Sequence, residues 1–294
     1  MKNVAVIANP FAGTGKNRLH GADAVGLLEE RGFKASLHAT TGVGHATELA
    51  MAAAAEYDLV VAVGGDGTVH ETAAGLVGTD CPFGVLPSGS GNDFARGIGC
   101  PDVASGLEVI TTGRVSSFDT GRMDGRFFVN SVGLLASGLV SLRASRLWRW
   151  LGRRRYLVAS LNTILNYRGD DVSWVISKGS ETIEISDRFL LVEICNGPFT
   201  GGGFRFAPDA NFTDGLLDGC LIRPVGPVTG IKLLGPAARG DRLDHPAISL
   251  VQGTRISFTV GRPVGYHLDG EPGMLPAGEH VIEIEPGSLN VLAR

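Results

Sequence analysis

The hydrophobic rhythm of the chain changes near residue 115. Before that point, short apolar runs rich in β-branched residues alternate with stretches whose apolar positions recur at helical spacing. Asn3–Ala8, Phe33–Thr40, Asp58–Val63 and Phe83–Leu86 read as strands, and Arg18–Glu30, Gly44–Glu56, Thr68–Val77 and Pro101–Thr112 as helices. This βαβαβαβ order predicts an α/β domain with a parallel sheet, its loops gathered at the carboxyl ends of the strands. Further on, Arg114–Thr120, Arg126–Val132, Val172–Ile176, Thr182–Ile185, Phe189–Cys195, Gly215–Arg223, Thr254–Val260 and His280–Glu285 read as strands joined mostly by local turns. That pattern predicts an antiparallel β-rich sandwich or open barrel. The expected domains are 1–115 and 116–294, with the last residues free to return to the first. No repeat or low-complexity linker separates them, so a tight cleft is expected, a common place for ligands.

Two loops of the first half carry the chemistry. The strand ending at Val63 runs into Gly64-Gly65-Asp66-Gly67-Thr68-Val69-His70-Glu71. Glycines at 64, 65 and 67 let the backbone turn tightly beside a ligand, and the helix that follows offers its amino-terminal amides to an anion. A carboxylate beside a phosphate is repulsive unless a cation lies between them, so Asp66 points to a magnesium nucleotide. After Phe83–Leu86 comes Pro87-Ser88-Gly89-Ser90-Gly91-Asn92-Asp93, another loop of small hydrogen-bonding residues before a helix. An ordinary Asp-Gly turn would explain the first loop alone; the second loop beside it favours one shared ligand. Asn9-Pro10-Phe11-Ala12-Gly13-Thr14-Gly15-Lys16 follows the first strand but fails as a Walker A loop. Pro10 stands in place of the first glycine and Asn17 in place of Ser or Thr.

Composition narrows the class without naming it. The chain has 294 residues, 44% of them hydrophobic and 19% charged, and a net charge of −4 that gives no sign of general nucleic-acid binding. The apolar run at its start is short and followed by glycine-rich polar sequence, which predicts a strand and not a signal peptide. No window is apolar enough to span a bilayer. Cys81, Cys100, Cys195 and Cys220 lack metal-ligand spacing and are expected to be buried thiols in a reduced cytoplasm.

GGDGTVHE together with PSGSGNDFAR resembles the diacylglycerol kinase catalytic family, which includes the bacterial soluble lipid kinases and the sphingosine kinases. The GGDGT element is shared with NAD kinases and phosphofructokinases, whereas the second motif is more specific. The resemblance implies an ATP- and Mg2+-dependent lipid kinase, most simply one converting diacylglycerol to phosphatidic acid. ATP would lie along Asn9, Pro10, Phe11, Ala12 and Gly13, Thr40, the stretch Gly64 to His70, and Ser90. Asp66, Asp93 and Asp119 would organise the catalytic magnesium. Asn211, Asp214 and the carbonyl of Leu216, in the stretch that ends Asp214-Gly215-Leu216-Leu217-Asp218, would hold a structural one. Glu271 of His267-Leu268-Asp269-Gly270-Glu271 would be the general base, with Asp269 as its competitor. Asp119 is equally a strand-end cap, and without the resemblance Asp214–Asp218 reads as a plain turn.

The segment 142–156, LRASRLWRWLGRRRY, interleaves arginines 143, 146, 149, 153, 154 and 155 with Leu147, Trp148, Trp150, Leu151 and Tyr156. Arginine and tryptophan on a helix suit an anionic membrane surface; a helix packed on the sandwich with a solvated basic face explains the same composition. The expected setting is cytoplasmic and peripherally membrane-associated, with a lipid substrate at the membrane surface, no nucleic acid, and a homodimer as one assembly state. NAD kinase, a kinase for sphingoid bases or other lipid alcohols, and a non-catalytic lipid or nucleotide sensor are the rival readings.

Overall fold

A computed structural model describes residues 2–11, 19–147, 154–241 and 243–294, with only the backbone at 154–157 and 164. The chain divides into one unit of Met1–Thr120 with Pro286–Arg294 and another of Gly121–Glu285.

The first unit runs β1 (Asn3–Ala8), α1 (Gly21–Glu29), β2 (Lys34–Ala39), α2 (His45–Ala53), β3 (Leu59–Gly64), α3 (Asp66–Leu76), β4 (Phe83–Pro87), α4 (Asp93–Gly97) and α5 (Val103–Thr112). β3 and β4 are buried at every position, as expected of apolar strands covered by helices on both faces. The strands are parallel in the order β2-β1-β3-β4. Their register aligns Ala8 with Ala39 and Val63, and Gly64 with Pro87. Asn9, Thr40, Gly65 and Ser88 therefore leave the sheet along one edge. α5 opens on a reciprocal cap in which Asp102 accepts from the Ser105 amide and the Ser105 hydroxyl accepts from the Asp102 amide.

β5 (Arg114–Met123) carries the chain into the second unit. There follow β6 (Arg126–Phe128), β7 (Ser131–Leu135), α6 (Ala136–Arg146), α7 (Arg154–Asn166), β8 (Asp170–Lys178), β9 (Glu181–Phe189), β10 (Leu191–Cys195), β11 (Leu217–Ile222), α8 (Pro227–Arg239), β12 (Ile248–Gly253), β13 (Arg255–Val260), β14 (Val264–Leu268), β15 (Glu271–Leu275) and β16 (Gly278–Ala293). An antiparallel six-stranded sheet runs β12-β11-β10-β7-β14-β15. A second layer places β13 between β8 and the first half of β16, with β9 beyond β8. β8 alternates buried and exposed positions, the mark of a strand with one face inward. Apolar side chains of both layers form one core, with Trp174 stacked on Phe258 at 5.0 Å and edge-on to Phe189 at 6.1 Å.

The expected α/β domain followed by an antiparallel β domain is the observed fold, and several details are corrected. α3 begins at Asp66 and not at Thr68, so Asp66 belongs to the first helical turn. Arg126–Val132 is two strands, because Asp269 draws the amides of Val129, Asn130 and Ser131 to its carboxylate instead of leaving them to a ladder. Segment 142–156 is not one helix: α6 ends at Arg146, Leu147 is extended, and α7 begins at Arg154. Trp148, Arg149, Trp150, Leu151 and Arg153 lie outside the described residues. The short strand expected to end in the His267–Glu271 motif is β14; α8, β12 and β15 are additional elements, and β16 is far longer than His280–Glu285. Among the described residues no helix is long and apolar enough to cross a membrane. All four cysteines are free and buried.

Candidate active site

The two glycine loops meet at the carboxyl edge of the parallel sheet. Their backbones approach so closely that a Cβ on Gly89 would lie 2.3 Å from the Gly65 Cα, and one on Gly91 would lie 2.3 Å from Asp66 Oδ2. Real side chains do not fit there, which explains glycine at both positions in steric terms. The Ser88 amide donates to the Gly64 carbonyl at 2.7 Å and continues the pairing one residue past the strands. Asn92, at φ 59°, closes the second loop on itself: its Oδ1 accepts from the Gly89 amide at 3.0 Å and its Nδ2 donates to the Gly89 carbonyl at 3.1 Å.

Asp66 fastens one loop to the other. Its Oδ2 accepts from the Asn92 amide at 2.9 Å and its Oδ1 from the Asp93 amide at 2.7 Å. A carboxylate has about four acceptor positions, and these two bonds fix the direction in which Asp66 presents its oxygens. The Asp93 carboxylate is buried close by, and the same Gly91 Cβ would be 3.8 Å from Asp93 Oδ2. Two carboxylates thus lie beside one small residue, an all-oxygen pair of the kind that hard divalent cations take. Asp119 is 3% exposed and its Oδ1 accepts from the Gly287 amide at 2.8 Å, but it lies in the interior of β5 and so is not the strand-end cap expected. Among the described residues no group of three or more His, Cys, Asp or Glu side chains is arranged to hold a metal ion.

The remaining expected nucleotide residues fall as follows. Asn9 Oδ1 accepts from the Phe11 amide at 2.9 Å, Pro10 lies between them, and the Phe11 ring is exposed. Ala12 and Gly13 lie outside the described residues. Thr40 is buried with its amide on the Ala8 carbonyl. Gly67, Thr68, Val69 and His70 form the first turns of α3. The Thr68 side chain fills the space a Gly64 Cβ would need, and Val69 is turned inward with its amide on the Gly65 carbonyl. Ser90 is exposed on the second loop, whereas Ser88 is buried and its hydroxyl accepts from the Leu19 amide at 3.0 Å. One contributor escaped the sequence reading: Glu71 accepts from the amides of Gly44 and Ala46 and holds the start of α2 beside α3. The only hint was its place one turn beyond Gly67.

In the second unit, Asp269 and Gly270 join β14 to β15 as a two-residue turn with φ 49° and 90°, the backbone of a type I′ hairpin. The Asp269 carboxylate is buried and accepts from Val129, Asn130 and Ser131 amides at 2.8 to 2.9 Å. Glu271, opposite Leu268 in the hairpin, is exposed. The two acids of the Asp-Gly-Glu motif therefore have opposite surroundings. In the other acidic turn, Asn211 Oδ1 accepts from the Thr213 amide and hydroxyl, and Asp214 Oδ1 accepts from the Leu216 amide at 3.0 Å. Burial raises the Asp218 carboxyl above the usual range, with Gln252 hydrogen-bonding to it against that trend. Burial also pushes the Cys220 thiol up to about 12, with the charge of Glu193 adding to the effect.

Comparison with known proteins follows the same division. Residues 3–123 match the diacylglycerol kinase catalytic domain, and residues 130–293 the YegS C-terminal NAD kinase beta sandwich-like domain. A diacylglycerol kinase of Bacillus subtilis (strain 168) is 31% identical over 289 residues, 96% of this chain and 93% of that protein. One from Staphylococcus epidermidis is 28% identical over 287 residues, 94% of this chain and 88% of that protein. A crystal structure described as a putative diacylglycerol kinase from Bacillus anthracis str. Sterne superposes with a TM-score of 0.78 at 24% identity, and another solved structure from the same strain with 0.76 at 26%; each match covers 100% of this chain and 97% of the other. With two glycine loops locked at one sheet edge and relatives matched along nearly all its length, the chain belongs to the diacylglycerol kinase family of lipid kinases.

Proposed function

We propose that the protein transfers the γ-phosphate of ATP to a lipid hydroxyl in a magnesium-dependent reaction, with diacylglycerol as acceptor and phosphatidic acid as product. The observation that carries this reading is the pair of loops bound together through Asp66. Phosphate oxygens would take the amides at the start of α3, where the helix presents N–H groups and a favourable dipole to an anion. Adenosine and the remaining phosphates would follow Asn9 to Gly13, Thr40 and Ser90. Asp66 and Asp93 would hold the magnesium, with Asp119 as third carboxylate. When bound, that ion neutralises charge on the transferring phosphoryl group, the main requirement of such a reaction. Asn211, Asp214 and the Leu216 carbonyl keep the structural-magnesium assignment that the family resemblance gives them.

Glu271 would accept the proton of the lipid hydroxyl as that oxygen attacks. Its exposure leaves it open to an acceptor, whereas the Asp269 carboxylate is occupied by three amides. Peripheral membrane contact is supported by α7, where Val158, Leu161 and Leu165 are exposed at spacings of three and four and so share one helix face. Of the six arginines, Arg146 is exposed, while Arg143 is spent on the Thr163 hydroxyl at 2.7 Å.

The deciding experiment is phosphate transfer from radiolabelled ATP over a panel of diacylglycerol, sphingoid base, ceramide and NAD. Labelled phosphatidic acid is the expected product. Labelled NADP would move the chain to the NAD kinases, and no transfer to any acceptor would favour a sensor. Glu271→Gln is expected to lower kcat about 10²–10⁴-fold, the usual scale for a general base, with ATP KM nearly unchanged. Asp269→Asn should cost less in rate and more in stability, because it disturbs three buried bonds. The reverse order of rates, in folded variants, would transfer the base role to Asp269.

A further inference from the structure

Behind the Asp-Gly-Glu turn lies a buried polar cluster that none of the roles above uses. His267 is the fourth residue of β14 and 4% exposed. Its Nδ1 accepts from the Gly270 amide at 3.3 Å. In a neutral imidazole one nitrogen accepts and the other donates, so this bond puts the ring proton on Nε2. Nε2 faces Ser137 Oγ at 3.0 Å and Glu193 Oε1 at 3.5 Å, and the Ser137 hydroxyl donates to the same Glu193 oxygen. Glu193 is 2% exposed, on the central strand β10, and its Oε2 has no hydrogen-bond partner among the described residues. A half-satisfied buried carboxylate is costly to keep, which asks for a reason beyond packing.

Further features shape the chain around this cluster. A Cβ on Gly133 would lie 2.1 Å from His267 Nε2 and 2.5 Å from Ser137 Oγ, so glycine makes the room for the ring. A Cβ on Gly138 would lie 2.2 Å from the backbone of Gly265 and Tyr266, so α6 rests directly on β14 and delivers Ser137 to the ring. Leu135, the residue that turns β7 into α6, holds φ 62° and ψ −119° without being glycine, a strained conformation that persists only where the surroundings demand it. The arrangement is not a hydrolytic triad. Serine and carboxylate share one ring nitrogen, whereas a triad needs one on each.

We propose that His267, braced by Glu193 and Ser137, is the positioning residue that sets the Asp269–Gly270 turn and through it the carboxylate of Glu271. The proposal rests on the reading of Glu271 as the base. Asp269 anchors one side of the turn through three amides, and His267 Nδ1 anchors the other through Gly270. With the second anchor lost, the hairpin would still form, and Glu271 would sample directions unproductive for taking the proton.

The test pairs two substitutions. His267→Asn places an amide oxygen near the Nδ1 position and can still accept from Gly270. His267→Gln reaches toward Ser137 and Glu193 and leaves Gly270 without its acceptor. His267→Gln is expected to lower kcat about tenfold or more with ATP KM unchanged, and His267→Asn to restore most of that rate even though Asn, which loses the Nε2 contacts to Ser137 and Glu193, should melt no higher than Gln. Equal losses for Asn and Gln, or losses that follow the melting temperature, would overturn the proposal. The same change is then made on Glu271→Gln: His267→Gln should cost less than about twofold there, because residues that act through one another are not additive. Multiplied losses would overturn it. A Glu271→Gln enzyme at full rate would remove the base reading and this proposal together, whereas a slow Glu271→Gln enzyme with a harmless His267→Gln removes this proposal alone. Should His267→Gln not fold, Ser137→Ala is read in the same two backgrounds: about a threefold loss in the parent and none on Glu271→Gln supports the brace, and any other pattern overturns it.

Discussion

Asp66→Asn separates two roles that one carboxylate plays in this fold. The side chain accepts from two backbone amides, one per oxygen, at 2.9 and 2.7 Å. Asparagine keeps the shape but turns one acceptor into an NH2 group that faces an N–H. One charge-assisted hydrogen bond is lost and the other becomes neutral, a loss of about 1.5–3 kcal/mol for this half-buried group. Urea unfolding should show that loss as a lower midpoint with unchanged slope. If Asp66 also carries the cation, turnover at saturating ATP and magnesium should fall by about 10²-fold or more, the scale for a central electrostatic contact. Raising magnesium would not restore it if charge at this position is what the reaction needs. A variant that unfolds at the parent midpoint would refute the fastening role, and one that keeps more than about a tenth of the parent rate would refute the metal role.

Other expectations follow from the same geometry. Gly89→Ala forces its Cβ against the Gly65 backbone and should cost about 1–3 kcal/mol with weakened ATP binding, whereas Gly26→Ala in α1, whose Cβ would meet nothing within 4 Å, should stabilise by about 0.5–1 kcal/mol; equal effects in thermal melts would contradict the steric account. Changing Arg149, Arg153, Arg154 and Arg155 together to Gln should weaken sedimentation with anionic vesicles by about 1 kcal/mol per arginine at low salt and leave ATP binding intact; unaltered sedimentation would favour a solvated basic face. Asp102→Ala should cost about 1 kcal/mol at neutral pH. The Ser105 amide holds the Asp102 carboxyl below its usual range, so the contribution is present above the ordinary aspartate pKa and fades as pH falls through the lowered one; a deficit unchanged at low pH would contradict the cap.

Where burial was uniform or strictly alternating, the sequence was easy to read. β3 and β4 are buried throughout and β8 alternates, so their apolar patterns declared them. β14 was legible as a short strand but not in its bounds, because His267 and Gly265 interrupt its apolar residues and each is there for a neighbour: one for the Gly270 turn, the other for α6. α8 hides behind an internal Pro236 and two glycines, and β16 behind Pro286-Gly287, which reads as a break but lies within sixteen continuous strand residues. At the site, glycine spacing revealed the loops. It did not reveal that Asp66 joins them, since a hydrogen bond between residues 26 or 27 positions apart leaves no local trace. Glu193 was the least legible: a lone acid in an apolar strand has meaning only once β7, β10 and β14 lie side by side.

The division of β16 sets an order of events during synthesis. Its later residues belong to the first unit, where Val291 runs beside Phe83 of β4, yet the ribosome makes them only after the whole of Gly121–Glu285. At about 5–20 residues per second, the nucleotide-loop unit waits roughly ten to thirty seconds with β4 lacking its neighbour. A nascent chain halted at Glu285 should therefore be cut by protease in residues 83–87 more readily than one extended through Arg294, and the second unit, contiguous in sequence, is the one able to finish first.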